Sequence, residues 1–242
     1  MCIRDRKRVS VELGGHAPFI VYDDADPVHA AKGVSLVKFL NTGQACGAQT
    51  RILVPDNRHD EIVEALAAAV GALPYGDPTD PNMVLGPLVS GRQHEKVGGY
   101  LEAGKAAGAV AVTGGSLDSS FGKGFYVQPT VFAGVTNDMT IAQEEIFGPV
   151  TGVTTFKSEE EAIQIANDTP YGLAGYFQSG DLDHARQVAS RLRSGNVHIN
   201  CSSPGMDVPF GGYKQSGNGR EWGAHGFTDY LEIKAISGFE AA

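Results

Sequence analysis

One cysteine and two glutamates carry the chemistry this sequence offers. Cys46 stands in Asn41-Thr42-Gly43-Gln44-Ala45-Cys46-Gly47-Ala48, where small neighbours leave the sulfur and nearby backbone amides open to approach. A thiolate there can attack an electrophilic carbon, and backbone N–H groups can steady the charge that develops. Free cysteine is more often a small buried hydrophobe than a nucleophile, and Cys2 and Cys201 are read that way. Glu12 precedes Leu13-Gly14-Gly15, so a carboxylate is followed by two residues without bulk, and water can reach it as it would a general base. A lone glutamate before glycines is usually a solvated strand end, and Glu145, in Gln143-Glu144-Glu145-Ile146-Phe147-Gly148-Pro149, has the same ambiguity. The seven histidines include no pair at metal-ligand spacing and the three cysteines are scattered, so no metal is expected. His16 or His198 could at most orient a thiol, as in a Cys/His hydrolase.

These groups need a frame, and its pattern is short β-rich runs alternating with amphipathic helical stretches, the mark of an α/β fold with a mostly parallel sheet flanked by helices. Pro18 to Tyr22 reads as a strand, and Asp26-Pro27 supplies an N-cap and first-turn proline for a helix to about Phe39. Arg51 to Val54 reads as a strand, and Asn57 to Leu73 as the clearest helix, with Ile62, Leu66, Ala69 and Leu73 at helical spacing. Breakers from Gly76 to Asn82 predict a surface loop. Helices are expected at His94 to Ala107, Glu159 to Asn167 and Asp181 to Leu192. Strands are expected at Ala109 to Thr113, Phe125 to Phe132, Val150 to Phe156, Leu173 to Phe177 and Val197 to Asn200. Glycines crowd Pro209 to Arg220, where the backbone must turn tightly or approach something closely. Tyr230 to Ile236 alternates apolar and charged residues as an edge strand suited to subunit pairing.

Composition narrows the partners. A net charge of −9 without any dense basic stretch argues against nucleic acid and anionic membranes, because either needs cations to neutralise phosphates. No apolar run reaches the ~18 to 20 residues of a membrane span, and no apolar segment follows the basic start, so the cytoplasm is the expected compartment.

Taken in order, five segments resemble the aldehyde dehydrogenase superfamily over Lys7 to about Gly238. Glu12-Leu13-Gly14-Gly15 is similar to its glutamate signature and Phe39-Leu40-Asn41-Thr42-Gly43-Gln44-Ala45-Cys46 to its cysteine signature, 34 residues apart as in that family. Glu144 to Pro149, Asn167-Asp168-Thr169-Pro170-Tyr171-Gly172-Leu173, and Pro209 to Glu221 resemble later blocks in the same order.

The resemblance implies the C-terminal catalytic half of an NAD(P)-dependent, non-acylating enzyme. Residues 1–14 would be a remnant of the nucleotide-binding domain, 15–214 the catalytic domain, and 215–242 a return segment with a C-terminal oligomerisation strand. Cys46 would attack the aldehyde and Glu12 would activate water on the resulting thioester. Glu145 would accept from the nicotinamide ribose hydroxyls, with Phe147 packed beside that nucleotide, and Ala45, Gly47 and Phe210 would shape the aldehyde pocket. NAD or NADP is the implied cofactor, and the implied full-length parent is a homodimer or homotetramer. Members of the family run to about twice this length, so the chain alone is expected to be inactive. Met1 to Arg6 depart from the family's approach to the glutamate signature, which suggests an artificial start, and His16 stands where many relatives carry lysine. A CoA-acylating relative, a non-catalytic interface-only member and the Cys/His hydrolase are the rival readings.

Overall fold

The computed structural model describes residues 8–203 and 205–238. The expected α/β architecture is present, as a seven-stranded sheet ordered β10-β9-β2-β3-β8-β7-β4. In chain order these strands are β2 (Ala17–Val21), β3 (Gln49–Pro55), β4 (Val110–Thr113), β7 (Thr130–Ala133), β8 (Val150–Phe156), β9 (Ala174–Gln178) and β10 (Asn196–Ile199). All neighbours are parallel except β4, which pairs antiparallel with β7 at one edge. Strands buried on both faces need continuous apolar runs rather than alternation, and β2 (Ala-Pro-Phe-Ile-Val) is buried at all five positions.

Helices α1 (Pro27–Val37) and α2 (His59–Gly71) cover one face, where Val34, Ile62, Leu66 and Val70 pack on Phe19, Ile52 and Val54. On the other face, Ala162, Ile163, Ala185 and Val188 of α5 (Glu159–Asn167) and α6 (Leu182–Arg191) pack on Ile20, Leu53 and Phe177. A third cluster joins Val97 and Leu101 of α3 (Gly91–Ala106) to Ile141 of α4 (Thr140–Gln143) and to Phe132 and Val150. The start of α1 follows the expected chemistry: Asp26 Oδ1 accepts from the N–H groups of Val28 at 2.8 Å and His29 at 3.1 Å.

Three expectations are corrected. Phe125 to Phe132 is two strands, β6 (Tyr126–Val127), paired with β5 (Leu117–Asp118), and β7, because Pro129 lacks the N–H that would continue one ladder. The helix expected from Asn57 begins as a 3₁₀ turn, Asp56–Arg58, and is α-helical only from His59. The strand expected at Tyr230 to Ile236 is not formed within the chain. A 3₁₀ helix, Ala224–Tyr230, takes its first residue, and the backbone beyond has no sheet to pair with, leaving Ile233 and Ile236 91% and 82% exposed. Met1 to Arg6 and Cys2 lie outside the described residues. Among the described residues no helix is long and apolar enough to cross a membrane.

Candidate active site

Three loops converge where the chain enters adjacent parallel strands: Glu12 to His16 leads into β2, Asn41 to Ala48 into β3, and Glu144 to Pro149 into β8. The first is held by β1 (Val11–Glu12), which pairs antiparallel with β11 (Gly217–Asn218), so the glycine-rich block near the C-terminus carries the glutamate. Ser216, fully buried, fixes the join: its hydroxyl donates to the Gly14 carbonyl at 2.6 Å and accepts from the Gly172 N–H at 3.0 Å.

The turn before Cys46 is left-handed at three successive residues, Asn41, Thr42 and Gly43, with φ of 52°, 57° and 72°. Two non-glycine residues there store strain, which Asn41 offsets by donating to the Gln44 carbonyl at 3.0 Å and Thr42 by donating to the Gly86 carbonyl at 3.2 Å. Cys46 is half-buried. Burial pushes its thiol pKa up and Glu145 and Glu12 push the same way, while the backbone N–H groups of Gly47 and Cys46 pull it back. Tyr176 donates to the Gly47 carbonyl at 2.7 Å and steadies the turn after the sulfur.

Glycine is required where the loops meet. A Cβ on Gly15 would collide with the Cys46 carbonyl, and one on Gly14 would lie 2.9 Å from the Glu145 carboxyl carbon and closer still to Oε2. The Gly15 N–H donates to Glu145 Oε1 at 2.9 Å, while Oε2 has no donor among the described residues. Glu12 is aimed elsewhere: both carboxyl oxygens are buried without a hydrogen-bond partner among the described residues. Burial raises its pKa, Glu221 adds to the rise and Arg220 opposes it.

Cys46, Glu145 and Phe147 line one open cleft of about 340 Å³, together with Leu13, Gly14, Gln93 and Lys96. Ala45, Gly47 and Phe210 do not line it; Phe210 stacks on Trp222 with ring centroids 4.9 Å apart. Sequence reasoning missed Gln93 and Lys96. Gln93 Nε2 donates to the carbonyls of Ile146 at 3.1 Å and Phe147 at 2.8 Å, holding Phe147 at φ 56°, and Lys96 Nζ donates to the Glu145 carbonyl at 3.0 Å. Their one sequence signal is a spacing of three on a helix, which puts them on a common face.

The histidines do not serve the thiol. His16 is buried, neutral with a pKa lowered to about 3 chiefly by burial, and its Nε2 bonds the Ile141 carbonyl at 3.2 Å. His198 stacks on Tyr176 at 4.8 Å and bonds the Ser202 carbonyl at 3.1 Å. Neither hydrogen-bonds Cys46, so the geometry lacks the base a Cys/His hydrolase needs. Among the described residues no three His, Cys, Asp or Glu side chains gather as metal ligands.

Glu145 Oε2, free to accept a hydrogen bond and close against the Gly14 backbone, shares the cleft with Cys46 and Phe147, an arrangement that could hold a hydroxylated ligand with a planar group. The model of the aldehyde dehydrogenase family matches residues 2–236. A 3-succinoylsemialdehyde-pyridine dehydrogenase of a Pseudomonas species is 47% identical over 98% of this chain and 50% of its own length. A mutant of aldehyde dehydrogenase C from Pseudomonas syringae, solved with NAD⁺ and octanal, superposes with a TM-score of 0.95 at 46% identity, covering 99% of this chain and 50% of that one. An aldehyde dehydrogenase of Mycobacterium tuberculosis, solved with NAD⁺, gives 0.94 at 42% identity over 99% of this chain and 50% of that one. The chain thus spans about half the length of the relatives it matches.

Proposed function

The chain belongs to the aldehyde dehydrogenase family, and from that membership we propose that it is the cysteine-bearing half of an enzyme that oxidises an aldehyde to a carboxylic acid with NAD⁺ or NADP⁺. The observation that carries this reading is the convergence of Cys46 and Glu145 on one cleft, with the buried, unpartnered carboxylate of Glu12 on the adjoining loop.

Cys46, as thiolate, adds to the aldehyde carbon, forming a C–S bond and moving the carbonyl electron pair onto oxygen. The N–H groups of Cys46 and Gly47, which already pull the thiol pKa down, are the donors that would steady that oxyanion. A bound nicotinamide supplies the acceptor for the electron pair that leaves with the aldehyde hydrogen. Glu145 Oε2 is free to take a ribose hydroxyl and Phe147 walls the cleft, so these residues orient that group. Cys46 then holds an acyl thioester. Glu12 removes a proton from water as the oxygen attacks the acyl carbon, the C–S bond breaks, and thiolate and acid are released. Burial makes Glu12 a stronger base than an ordinary carboxylate, which suits it to this step.

Hydrolysis at Glu12 makes the enzyme non-acylating. The exposed apolar residues Tyr230, Leu231, Ile233 and Ile236 suit an edge that pairs in a homodimer or homotetramer of the whole protein. The test joins this chain to an upstream half like that of its relatives and follows NADH or NADPH with octanal and pyridine-bearing aldehydes, with and without CoA. Turnover to free acid, lost in Cys46→Ala and stalled at the acyl-enzyme in Glu12→Gln, is the expected result. Release as acyl-CoA would replace the non-acylating reading, and no turnover with any aldehyde would favour an interface-only member. The 242-residue chain alone is expected to reduce neither nucleotide.

A further inference from the structure

Lys38 caps the C-terminus of α1 with its side chain fully buried, and Nζ donates to the Gly148 carbonyl at 2.8 Å, its one hydrogen-bond partner among the described residues. A buried ammonium held by one neutral oxygen costs stability, and an apolar side chain of the same length would fill the space more cheaply. Burial draws its pKa down to about 7, opposed by Glu145, the acidic group it faces; the other titratable group nearby is His16, which stays neutral.

The carbonyl it holds is at a junction. Gly148 follows Glu145 and Phe147, and its oxygen is also met by the Val150 N–H at 2.8 Å. On another side lies Gly43, at φ 72° in the turn before Cys46, where a Cβ would collide with the Gly148 oxygen and sit 2.8 Å from Pro149 N. One carbonyl therefore touches the loop bearing the thiol and the buried lysine behind it.

We propose that Lys38 is a positioning residue that ties the loop carrying Glu145 and Phe147 to the loop carrying Cys46, keeping nucleophile and nucleotide-facing groups at one spacing. This rests on the roles given to those three residues above. Nothing in Lys38 touches the reacting atoms; it acts through the Gly148 carbonyl.

The test uses the full chain and the variants Lys38→Met and Gly43→Ala. Hydrogen exchange is read in peptides spanning 143–150, with α6 as control, and iodoacetamide alkylation of Cys46 is read against pH, with Cys201 as control. In Lys38→Met, exchange over 143–150 should quicken about tenfold. The Cys46 profile should move to lower pH, because Glu145, which raises the thiol, draws away once its loop is no longer tied, while Lys38 itself is neutral where the thiol titrates; α6 and Cys201 should not change. Gly43→Ala, which presses on the same carbonyl, should quicken the same peptides and decides the matter if Lys38→Met does not fold. Exchange within twofold of the parent with an unmoved Cys46 profile would overturn the proposal and leave Lys38 a filler of space. A parent Cys46 no more reactive than Cys201 would instead count against the nucleophile reading, while the exchange data still judge the tie.

Discussion

Replacing Glu12 by glutamine should weaken catalysis and strengthen the fold together. Both carboxyl oxygens are buried without partners among the described residues, so the ionised group has lost water and gained no donor. Its pKa is therefore higher folded than the ordinary glutamate value of 4.5. The stability this group contributes is fully present below its unfolded pKa and is lost as pH rises through the folded value. Glutamine has the same shape and stays uncharged, so parent and variant should melt together near pH 4 and separate at pH 8. Relief of a buried, unpaired charge, with the amide still lacking donors, should stabilise the variant by about 1 kcal/mol, or about 2–4 °C for a chain of this size. An activated aryl ester reads the catalytic half, since it acylates Cys46 without any nucleotide. The parent should show a stoichiometric burst followed by slow turnover. The variant should keep the burst and lose about 10²-fold or more of the turnover, the usual worth of a general base. A melting difference independent of pH, or a variant less stable at pH 8, would show that the carboxylate has a favourable partner. Unchanged turnover after the burst would show that water is activated by another group.

Other changes follow from the same geometry. Cys46→Ser should abolish the ester burst, and in the parent the alkylation rate of Cys46 should still be climbing above pH 9, because burial and the two glutamates raise the thiol; mass spectrometry of the labelled peptide reads this. Ser216→Ala leaves the half-buried Gly14 carbonyl and the buried Gly172 N–H without their partner, so chemical denaturation should show a loss of about 2 kcal/mol. Gly14→Ala should drive the Glu145 carboxylate off the Gly15 N–H with little change in melting temperature; joined to an upstream half, its KM for the nucleotide should rise about tenfold while the ester burst of Cys46 persists.

Much of this was legible in the sequence where the cause is local. The capping pair Asp26-Pro27 and the apolar spacing of Ile62 and Leu66 announce α1 and α2, since a helix start is written in neighbouring residues. Gln128-Pro129 also announces a break, yet the apolar runs on either side masked it. Tyr230 to Ile236 has strand alternation but no strand, because pairing needs a partner that a pattern alone does not supply. The site divides similarly. Cys46, Glu12 and Glu145 lie within distinctive glycine-bearing segments, and the structure places all three on converging loops. Gln93, Lys96, Lys38 and Ser216 are ordinary residues whose work is done on backbone 44 to 202 positions away, and no local pattern marks them.

The placement of the chemistry has a structural reason. In open α/β sheets, ligands usually bind beyond the carboxyl ends of the strands, at the crevice where successive crossovers diverge. That crevice lies between β2, which continues through α1 to β3, and β9, which continues through α6 to β10. Here it is occupied by the protein itself: the Asp24 carboxylate accepts from Ser179 Oγ at 3.0 Å and from the N–H groups of Gly180 and Asp181 at 2.8 and 3.1 Å, at the start of α6. An internal anion thus takes the amides that an external phosphate would use. The candidate reactive residues sit at the opposite, amino ends of β2, β3 and β8, where no crossover helix of this sheet begins. In the proposed reaction, stabilisation of developing charge there falls to loop amides, those of Cys46 and Gly47. On that reading, the strained left-handed turn through Asn41, Thr42 and Gly43 brings the chain to Cys46 with the backbone N–H groups of Cys46 and Gly47 lowering the thiol pKa against the burial that raises it.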